Sequence, residues 1–284
     1  MIHLTNISFG YKKNRPLFAN LNLKVEPGNI YGLLGKNGAG KTTLMKLMAG
    51  LIYPKHGTLD VMGFAPQQRL PRFLADVYFI HEEHYVPKIK VSTYEKIYAP
   101  FYPNFDHAAF ENHLSEFGLD KNRKMTEMSY GQKKKVLLSF GLACNARLLI
   151  LDEPTNGLDI PSKSQFRKLL AKSITEERTF IVSTHQVRDM ANLIDPIIIL
   201  EDGEIIFQQN LYEVSKKLFF DISYHTAEPE GVLHAERLPG AYRTVSENFT
   251  GEESEIELEA LFNTIIFNRE KISELFQNPV HHES

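Results

Sequence analysis

The sequence has only one cysteine, Cys144, among 284 residues. A single thiol excludes an internal disulfide framework and suits a reducing compartment. No apolar run approaches the ~20 residues that a membrane-spanning helix needs. Residues 1–6 lack the basic start and long apolar stretch of a signal peptide. We therefore expect a cytoplasmic protein that leaves any crossing of a membrane to another chain.

Charge and patterning exclude further classes of protein. The formal net charge of −3 is close to neutral, so the chain as a whole is not attracted electrostatically to nucleic acid. Internal repeats, low-complexity tracts and sustained heptads are missing, which argues against repeat proteins and long coiled coils. The 284 residues, of which 43% are hydrophobic, suffice for one large domain, with or without an appendage.

Short apolar runs that alternate with helical stretches predict an α/β fold with a mostly parallel sheet and crossover helices. Alternating residues near the N-terminus predict an antiparallel β subdomain. Helical stretches that start near Ser92, His107 and Tyr130 predict an inserted helical subdomain at about residues 86–145. Strands are expected at residues 2–9, 20–25, 30–34, 58–61, 77–80, 148–151, 179–182 and 197–200.

The main domain is expected to span residues 1–210 and to close with a two-residue hairpin turn at Asp202-Gly203. Residues 211–284 should form a small α+β C-terminal extension with no identifiable chemistry. His281 and His282 have metal-ligand side chains but no partners at metal spacing, so we expect a frayed terminus there. One apolar helical face of the extension consists of Leu258, Leu261, Phe262, Ile265 and Ile266.

A glycine-rich segment lies between a predicted strand and a predicted helix. It fits the pattern Gly-x4-Gly-Lys-Thr and consists of Gly35, Lys36, Asn37, Gly38, Ala39, Gly40, Lys41 and Thr42. Such a loop presents backbone N–H groups to phosphate, and the helix N-terminus adds partial positive charge. Lys41 can reach the outer phosphates and Thr42 can bind Mg²⁺. The segment predicts a nucleoside triphosphate site, with a chance glycine-rich turn as the alternative.

Polar residues follow two other apolar strands. Asp152 and Glu153 come directly after residues 148–151, and His185 follows residues 179–182. Because ligands bind at the carboxyl ends of parallel strands, Asp152 should face Mg²⁺, and Glu153 should orient a water and accept its proton. His185 can hydrogen-bond the γ-phosphate and hold Glu153 in line. The alternatives are acidic residues at a helix N-terminus and an ordinary surface histidine.

Ser129 is a good candidate for the N-cap of a third helical stretch. Free N–H groups at this helix start could bind a second phosphate cluster, whereas an ordinary cap needs no ligand. The lysines at residues 133–135 could contact phosphate, but they also fit a solvated helix face.

Together these motifs resemble the ATP-binding-cassette (ABC) ATPases, the nucleotide-binding subunits of ABC transporters, over roughly residues 1–210. Residues 35–42 match the Walker A loop and residues 152–153 match the end of Walker B. Residues 129–132 are similar to the signature Ser-Gly-Gly-Gln, residues 157–159 to the D-loop and His185 to the switch histidine. The resemblance implies further ATP contacts by Tyr11, Thr43, Ser129, Gly131, Gln132 and Asp159. Tyr11 would stack on adenine, with an exposed loop tyrosine as the alternative.

Two residues depart from the family pattern. Tyr130 replaces the first glycine of the signature, while Gly131 keeps the second. Glu82 stands where a glutamine that contacts Mg²⁺ usually sits. A carboxylate is a stronger ligand for this cation, so we expect Glu82 to bind Mg²⁺ directly or through water. A one-residue slip of the alignment, with Glu83 or neither residue involved, is the alternative.

The resemblance implies that two copies pack head to tail and hold ATP between the Walker A loop of one and residues 129–131 of the other. This homodimer or heterodimer would drive an integral membrane permease on a separate chain, from the inner face of the cell membrane. Docking is expected on the part of the helical insert near residues 86–127. Its aromatic residues can be interface anchors or subdomain core: Tyr94, Tyr98, Phe101, Tyr102 and Phe105.

Export of an antibiotic or drug is the expected direction, because a short extension and a Leu-Glu-x-x-Phe element at residues 258–262 resemble that branch of the family. An ATPase acting on nucleic acid or ribosomes is one alternative, although such relatives usually carry two cassettes or a long coiled coil. A scaffold ATPase for cofactor assembly is another. Nucleic-acid-stimulated ATP hydrolysis would favour the former, and co-purification with soluble partners the latter.

Overall fold

The computed structural model describes residues 1–12, 15–224 and 231–277, so that His281 and His282 lie outside the described residues. The strands of the main domain are β1 (Ile2–Phe9), β2 (Phe18–Val25), β3 (Ile30–Leu34), β4 (His56–Val61), β5 (Val77–Ile80), β6 (Leu148–Asp152), β7 (Thr179–Ser183), β8 (Ile197–Glu201) and β9 (Glu204–Gln209). Its helices are α1 (Lys41–Met48), α2 (Pro71–Ala75), α3 (Val91–Tyr98), α4 (His107–Glu116), α5 (Tyr130–Ala143) and α6 (Ile160–Ser173).

A six-stranded sheet in the order β5-β6-β7-β3-β8-β9 forms the centre of the main domain. All of its strands run parallel except β9, which pairs antiparallel with β8. A separate antiparallel sheet has the order β2-β1-β4. Asp202 and Gly203 both have positive φ and connect β8 to β9, as a tight hairpin requires. The predicted α/β class, sheet direction and hairpin are confirmed.

The hydrophobic core lies in two layers, because successive side chains of a strand point to opposite faces of the sheet. In β6, for example, Leu149 and Leu151 face the layer formed with the helical insert and the extension. Leu148 and Ile150 face the other layer, which is formed with α1 and the antiparallel sheet. Burial on both faces explains why the central strands read as continuous apolar runs.

The prediction of a crossover helix is wrong for the connection between β7 and β8. Residues 184–196 contain only one 3₁₀ turn, Val187–Asp189. Strand β3 lies between β7 and β8, and the short connection places the residues after β7 beside the loop that follows β3. This connection therefore belongs to the candidate site and does not cover the sheet.

The helical insert has an aromatic core centred on Phe140 of α5. The rings of Tyr94, Tyr102 and Phe105 lie 4.8–6.0 Å from the Phe140 ring, so these three residues pack the subdomain. Phe101, in contrast, is 67% exposed. Of the two interpretations of the insert aromatics, core packing therefore holds for these three, and Phe101 is available for an interface.

The C-terminal extension contains α7 (Leu211–Lys217), β10 (Leu218–Ser223), β11 (His234–Leu238), β12 (Ala241–Glu247), α8 (Leu258–Phe267) and α9 (Arg269–Gln277). Its strands form an antiparallel sheet in the order β10-β12-β11. The predicted apolar face of α8 packs on this sheet and on the 3₁₀ turn at Val187–Asp189. Within the described ranges, no helix has the length and apolar character needed to cross a membrane.

Candidate nucleotide site

The site lies where three neighbouring parallel strands end. Asp152 at the end of β6 pairs with Ser183 at the end of β7, and Ser183 pairs with Leu33 of β3. Gly35 and His185 follow β3 and β7 within two residues of these pairs. The topology therefore brings the glycine-rich loop, the two acidic residues and the histidine to one edge of the sheet, as the sequence predicts.

The glycine-rich loop is shaped by close contacts that exclude larger residues. A Cβ atom on Gly35 would lie 2.2 Å from the carbonyl oxygen of Leu200. Lys41 is buried, and its Nζ donates to the carbonyl oxygens of Gly35 and Lys36 at 2.7 and 3.2 Å. No side chain among the described residues caps α1, so its first N–H groups stay available for phosphate oxygens.

The pKa of the Lys41 ammonium is subject to two opposing effects. Burial lowers its pKa, and the carboxylates of Glu153 and Asp152 raise it. A desolvated ammonium inside a loop of N–H donors interacts strongly with phosphate, because water screens it little.

Thr42 and Asp152 form the candidate Mg²⁺ site. The Thr42 hydroxyl donates to Asp152 Oδ2 at 2.7 Å, and the Ser183 hydroxyl donates to Asp152 Oδ1 at 2.7 Å. Hydroxyl and carboxylate oxygens are suitable ligands for this hard cation. Clusters of three or more His, Cys, Asp or Glu residues able to hold a metal are absent from the described part of the chain. These residues therefore fit Mg²⁺ that arrives with phosphate oxygens, and they do not form an all-protein cage.

Glu153 and His185 form a hydrogen-bonded pair beside this site. Glu153 Oε1 lies 2.8 Å from His185 Nδ1, and the glutamate side chain is only 7% exposed. Burial raises the pKa of the Glu153 carboxyl, while His185 and Lys41 oppose that shift. Its Oε2 is buried without a hydrogen-bond partner in the described structure. A carboxylate of raised pKa with one free oxygen is suited to accept a proton from water.

Glu82 is connected to the same pair through side chains. Its Oε1 accepts a hydrogen bond from Asn156 Nδ2 at 2.9 Å. Asn156 Oδ1 accepts one from Gln186 Nε2 at 3.3 Å, and this nitrogen lies 3.4 Å from His185 Nε2. Glu82 follows β5, the strand next to β6, which explains its place at this edge.

Tyr11 lies beside the first turn of α1. Its hydroxyl is 3.2 Å from the hydroxyl of Thr43 in α1, and its ring makes an edge contact with Phe9. The side chain is 66% exposed. Thr43 therefore anchors an aromatic ring that leaves a face open beside the phosphate loop, and adenine stacking by Tyr11 remains a prediction.

Comparison with known proteins identifies the family. A sequence model described as "ABC transporter" matches residues 18–156. The chain is 29% identical over 226 residues to the ABC transporter ATP-binding protein NatA of Bacillus subtilis, covering 75% of this chain and 92% of NatA. It is 31% identical over 249 residues to the bacitracin transport ATP-binding protein BcrA of Enterococcus faecalis, covering 84% of this chain and 77% of BcrA.

The chain belongs to the ABC transporter ATP-binding proteins. It is an ATPase of this family, and its cassette binds ATP. A solved structure of the same fold is the dimeric cassette MJ0796 bound to ADP and Pi, with a TM-score of 0.65 and 23% identity. The matched region covers 74% of this chain and 99% of MJ0796.

The signature segment of this ABC ATPase starts α5 with a capping box. The Ser129 hydroxyl accepts from the Gln132 N–H, and Gln132 Oε1 accepts from the Ser129 N–H. A Cβ on Gly131 would lie 2.6 Å from the carbonyl oxygen of Gly157, so glycine is needed for packing within this copy. The ordinary cap is therefore present, and contact of Ser129, Gly131 and Gln132 with nucleotide stays a prediction.

Tyr130 does more than replace a glycine. Its hydroxyl donates to the carbonyl oxygen of Glu82 at 2.6 Å, and its ring lies against Gly157. Asp159, the last residue of the D-loop segment, caps α6 by accepting from the Ser162 N–H at 2.9 Å. The contacts of Tyr130 hold the segments at Glu82 and Gly157 against α5, and a role of Asp159 at the nucleotide remains a prediction.

Sequence reasoning missed several residues that build the site. Ser183 holds both Asp152 and the Glu153 N–H, and a hydroxyl at the end of an apolar strand is the only signal for it. Helix α8 of the extension lines a cleft of about 640 Å³ beside residues 35–37 and His185. Arg188 also pairs with Glu259 of α8 at 2.8 Å. No sequence pattern connects these distant segments.

Proposed function

We propose that this chain is the ATP-hydrolysing subunit of an exporter, acting at the cytoplasmic face of the cell membrane on a permease carried by a separate chain. The observation that supports it most is the Glu153–His185 pair at 2.8 Å beside the Thr42–Asp152 pair at 2.7 Å. The first pair supplies a proton acceptor and the second supplies Mg²⁺ ligands. Lys41 supplies positive charge to the terminal phosphate.

The working unit is proposed to be a head-to-tail dimer that closes around ATP. Each ATP would lie between the phosphate loop of one copy and residues 129–131 of the other. ATP then favours the closed state because it contacts both copies, and hydrolysis removes the bridging phosphate. The N-terminus of α5 supports this arrangement, because its N–H groups begin at a segment that is exposed at Ser129.

Glu82 is proposed to complete the Mg²⁺ site. Replacement by alanine should raise the Mg²⁺ concentration needed for half-maximal ATP hydrolysis by about tenfold, because one carboxylate contact to a divalent cation is lost. Mg²⁺ titrations of steady-state ATP hydrolysis measure this shift. The matched control is Glu83→Ala, which removes an exposed acid one position later. An unchanged Mg²⁺ requirement in the Glu82 variant, or the same shift in the Glu83 variant, would reject this assignment.

The permease is proposed to dock in an apolar groove of about 780 Å³ between the end of α1 and the helical insert. Its wall includes Leu51, Arg72, Phe79, Pro100 and Phe101. The groove fits an amphipathic helix with an acidic residue that faces Arg72. The groove is lined by residues that follow α1, the helix that starts at the phosphate loop, and by residues of the insert, so a docked permease would contact both.

Substitution of Phe101 by aspartate should remove the permease from the purified complex, while the chain alone keeps its ATPase rate. An exposed ring lost from the middle of an interface typically weakens binding by about 2 kcal/mol or more, or roughly 30-fold. Extraction of tagged protein from native membranes with mild detergent, followed by mass spectrometry, identifies the integral subunit. Phe249→Asp, at a ring that is 87% exposed in the extension, is the control. Equal recovery of the permease with both variants would contradict the docking site.

Export is favoured over import because the match to the bacitracin transport protein covers 84% of this chain, which is more than the proposed 210-residue cassette and so includes part of the extension. Cells that lack this chain should then become more sensitive to bacitracin or a related peptide antibiotic. Unchanged sensitivity across such a panel, together with ATP hydrolysis stimulated by nucleic acid, would favour the alternative of an ATPase acting on nucleic acid.

A further inference from the structure

Lys134 is a fully buried lysine in the middle of the signature helix α5, with 0% relative exposure. Lysine is almost never buried to this extent unless its ammonium has a partner. Sequence reasoning interpreted residues 133–135 as a solvated face or a phosphate contact. The structure contradicts both interpretations for Lys134, since its side chain points into the protein beneath the nucleotide site.

The partner of the Lys134 ammonium is the main chain of Glu153. Nζ donates a hydrogen bond to the Glu153 carbonyl oxygen, which also accepts from the Asn156 N–H at 3.2 Å. The aromatic ring of Tyr130 lies one turn earlier on the same helix face, with its centroid 5.8 Å from Nζ. The lysine therefore spans the gap between α5 and the residue that carries the proton-accepting carboxylate.

Glu153 needs such support because its backbone is in the left-handed region, with φ 47°. This conformation is unfavourable for a residue with a Cβ atom and persists only where surrounding contacts impose it. The Glu153 N–H donates to both the carbonyl oxygen and the hydroxyl of Ser183, at 3.2 and 3.1 Å. Lys134 binds the Glu153 carbonyl oxygen, so the main chain of Glu153 is held at both its N–H and its carbonyl group.

Negative charges on two elements keep Lys134 charged despite its burial. Burial lowers the pKa of its ammonium, and Glu82 after β5 and Glu153 and Asp152 at the end of β6 partly oppose that shift, so that the resulting pKa is about 8. These three carboxylates also face the site where phosphate is expected. A buried cation behind them reduces the repulsion that a triphosphate would meet.

We propose that Lys134 is a positioning residue that holds Glu153 in the backbone conformation from which its carboxylate reaches His185. The proposal rests on the proposed function, in which Glu153 is the proton acceptor.

The test compares Lys134→Met, which keeps the length and apolar stem but lacks the ammonium, with Lys134→Arg, which restores a charged donor. Lys134→Met should lower kcat about 10- to 100-fold, because small misplacements of a reacting group have effects of this size. KM for ATP should stay within about twofold, since the phosphate loop is untouched. Lys134→Arg should recover at least about a third of the lost kcat. The control is Lys133→Met, which removes the same charge from a partly exposed neighbouring position.

Wild-type kcat in Lys134→Met, or equal loss in Lys134→Met and Lys133→Met, overturns the proposal. A parallel rise in KM, or an arginine variant as slow as the methionine variant, overturns it as well. If Lys134→Met does not fold, as judged by circular dichroism, Lys134→Gln is measured with the same criteria. Dimerisation of Glu153→Gln with ATP, measured by size-exclusion chromatography, distinguishes failure of the proposed dimer mechanism from failure of the role of Lys134. Failure to dimerise rejects the dimer mechanism, whereas normal dimerisation with an unimpaired Lys134→Met rejects only the role of Lys134.

Discussion

Replacement of Glu153 by glutamine should lower the rate of ATP hydrolysis by about 10²- to 10⁴-fold, the usual effect of losing a proton-accepting carboxylate. Glutamine preserves the shape of the side chain and a hydrogen-bonding oxygen for His185, but it cannot take a proton from water. Bulk solvent has little access to take over this role, because the Glu153 side chain is only 7% exposed. ATP binding should be retained, since Lys41 and the loop amides are unchanged.

This variant should also accumulate as an ATP-bound dimer, because in the proposed dimer the γ-phosphate that would join the two copies is no longer removed. Phosphate release in single-turnover conditions and size-exclusion chromatography with ATP measure the two effects. Glu177→Gln, which removes the same charge from an exposed site before β7, serves as the control and should behave as wild type. A Glu153 variant that hydrolyses ATP normally, or stays monomeric with ATP, would contradict the assignment of the proton acceptor.

Substitution of Lys41 by methionine should weaken ATP binding by about 10²- to 10⁴-fold and make hydrolysis undetectable at millimolar ATP. The expected loss corresponds to two charge-assisted hydrogen bonds to phosphate, each of roughly 1.5–3 kcal/mol. Methionine fills nearly the same volume as the lysine stem, so the fold should survive. Burial strengthens the effect because little solvent screens the ammonium, which is in a side chain of 8% relative exposure.

Calorimetric titration with ATP measures the affinity of this variant, and thermal unfolding without nucleotide tests its stability. Lys46→Met is the matched control, because Lys46 lies in the last turn of the same helix and is only partly buried. It should bind ATP as the unmodified chain does. Retained ATP affinity in Lys41→Met, with intact folding, would mean that the loop does not hold the terminal phosphates as proposed.

Much of the fold could be predicted because the central strands have few alternatives. The runs at residues 30–34 and 77–80 match β3 and β5 in full, since strands buried on both faces must be apolar throughout. Strand β11 was missed because its residues, His234–Leu238, are mostly polar and only partly buried. An edge strand with one weakly covered face carries no strong periodic signal.

The site was predictable to the extent that each residue follows a recognisable strand or loop. Asp152, Glu153 and His185 were found because apolar strands precede them directly. Lys134 was not, because a lysine in a run of three reads as solvent-exposed. Its burial depends on how α5 packs against Glu153, the residue after β6. The two are separated in sequence but are linked by one hydrogen bond.

The sequence by itself determined the parallel core, the phosphate loop and the acidic residues that follow β6, because strand burial and loop geometry are local constraints that leave a pattern in neighbouring residues. Only the tertiary structure decided which side chains act on Glu153. The contacts of Lys134 and Ser183 with Glu153, and the approach of α8 to the site, join segments that are distant along the chain. Such contacts depend on packing in three dimensions, for which a single sequence carries no periodic signal.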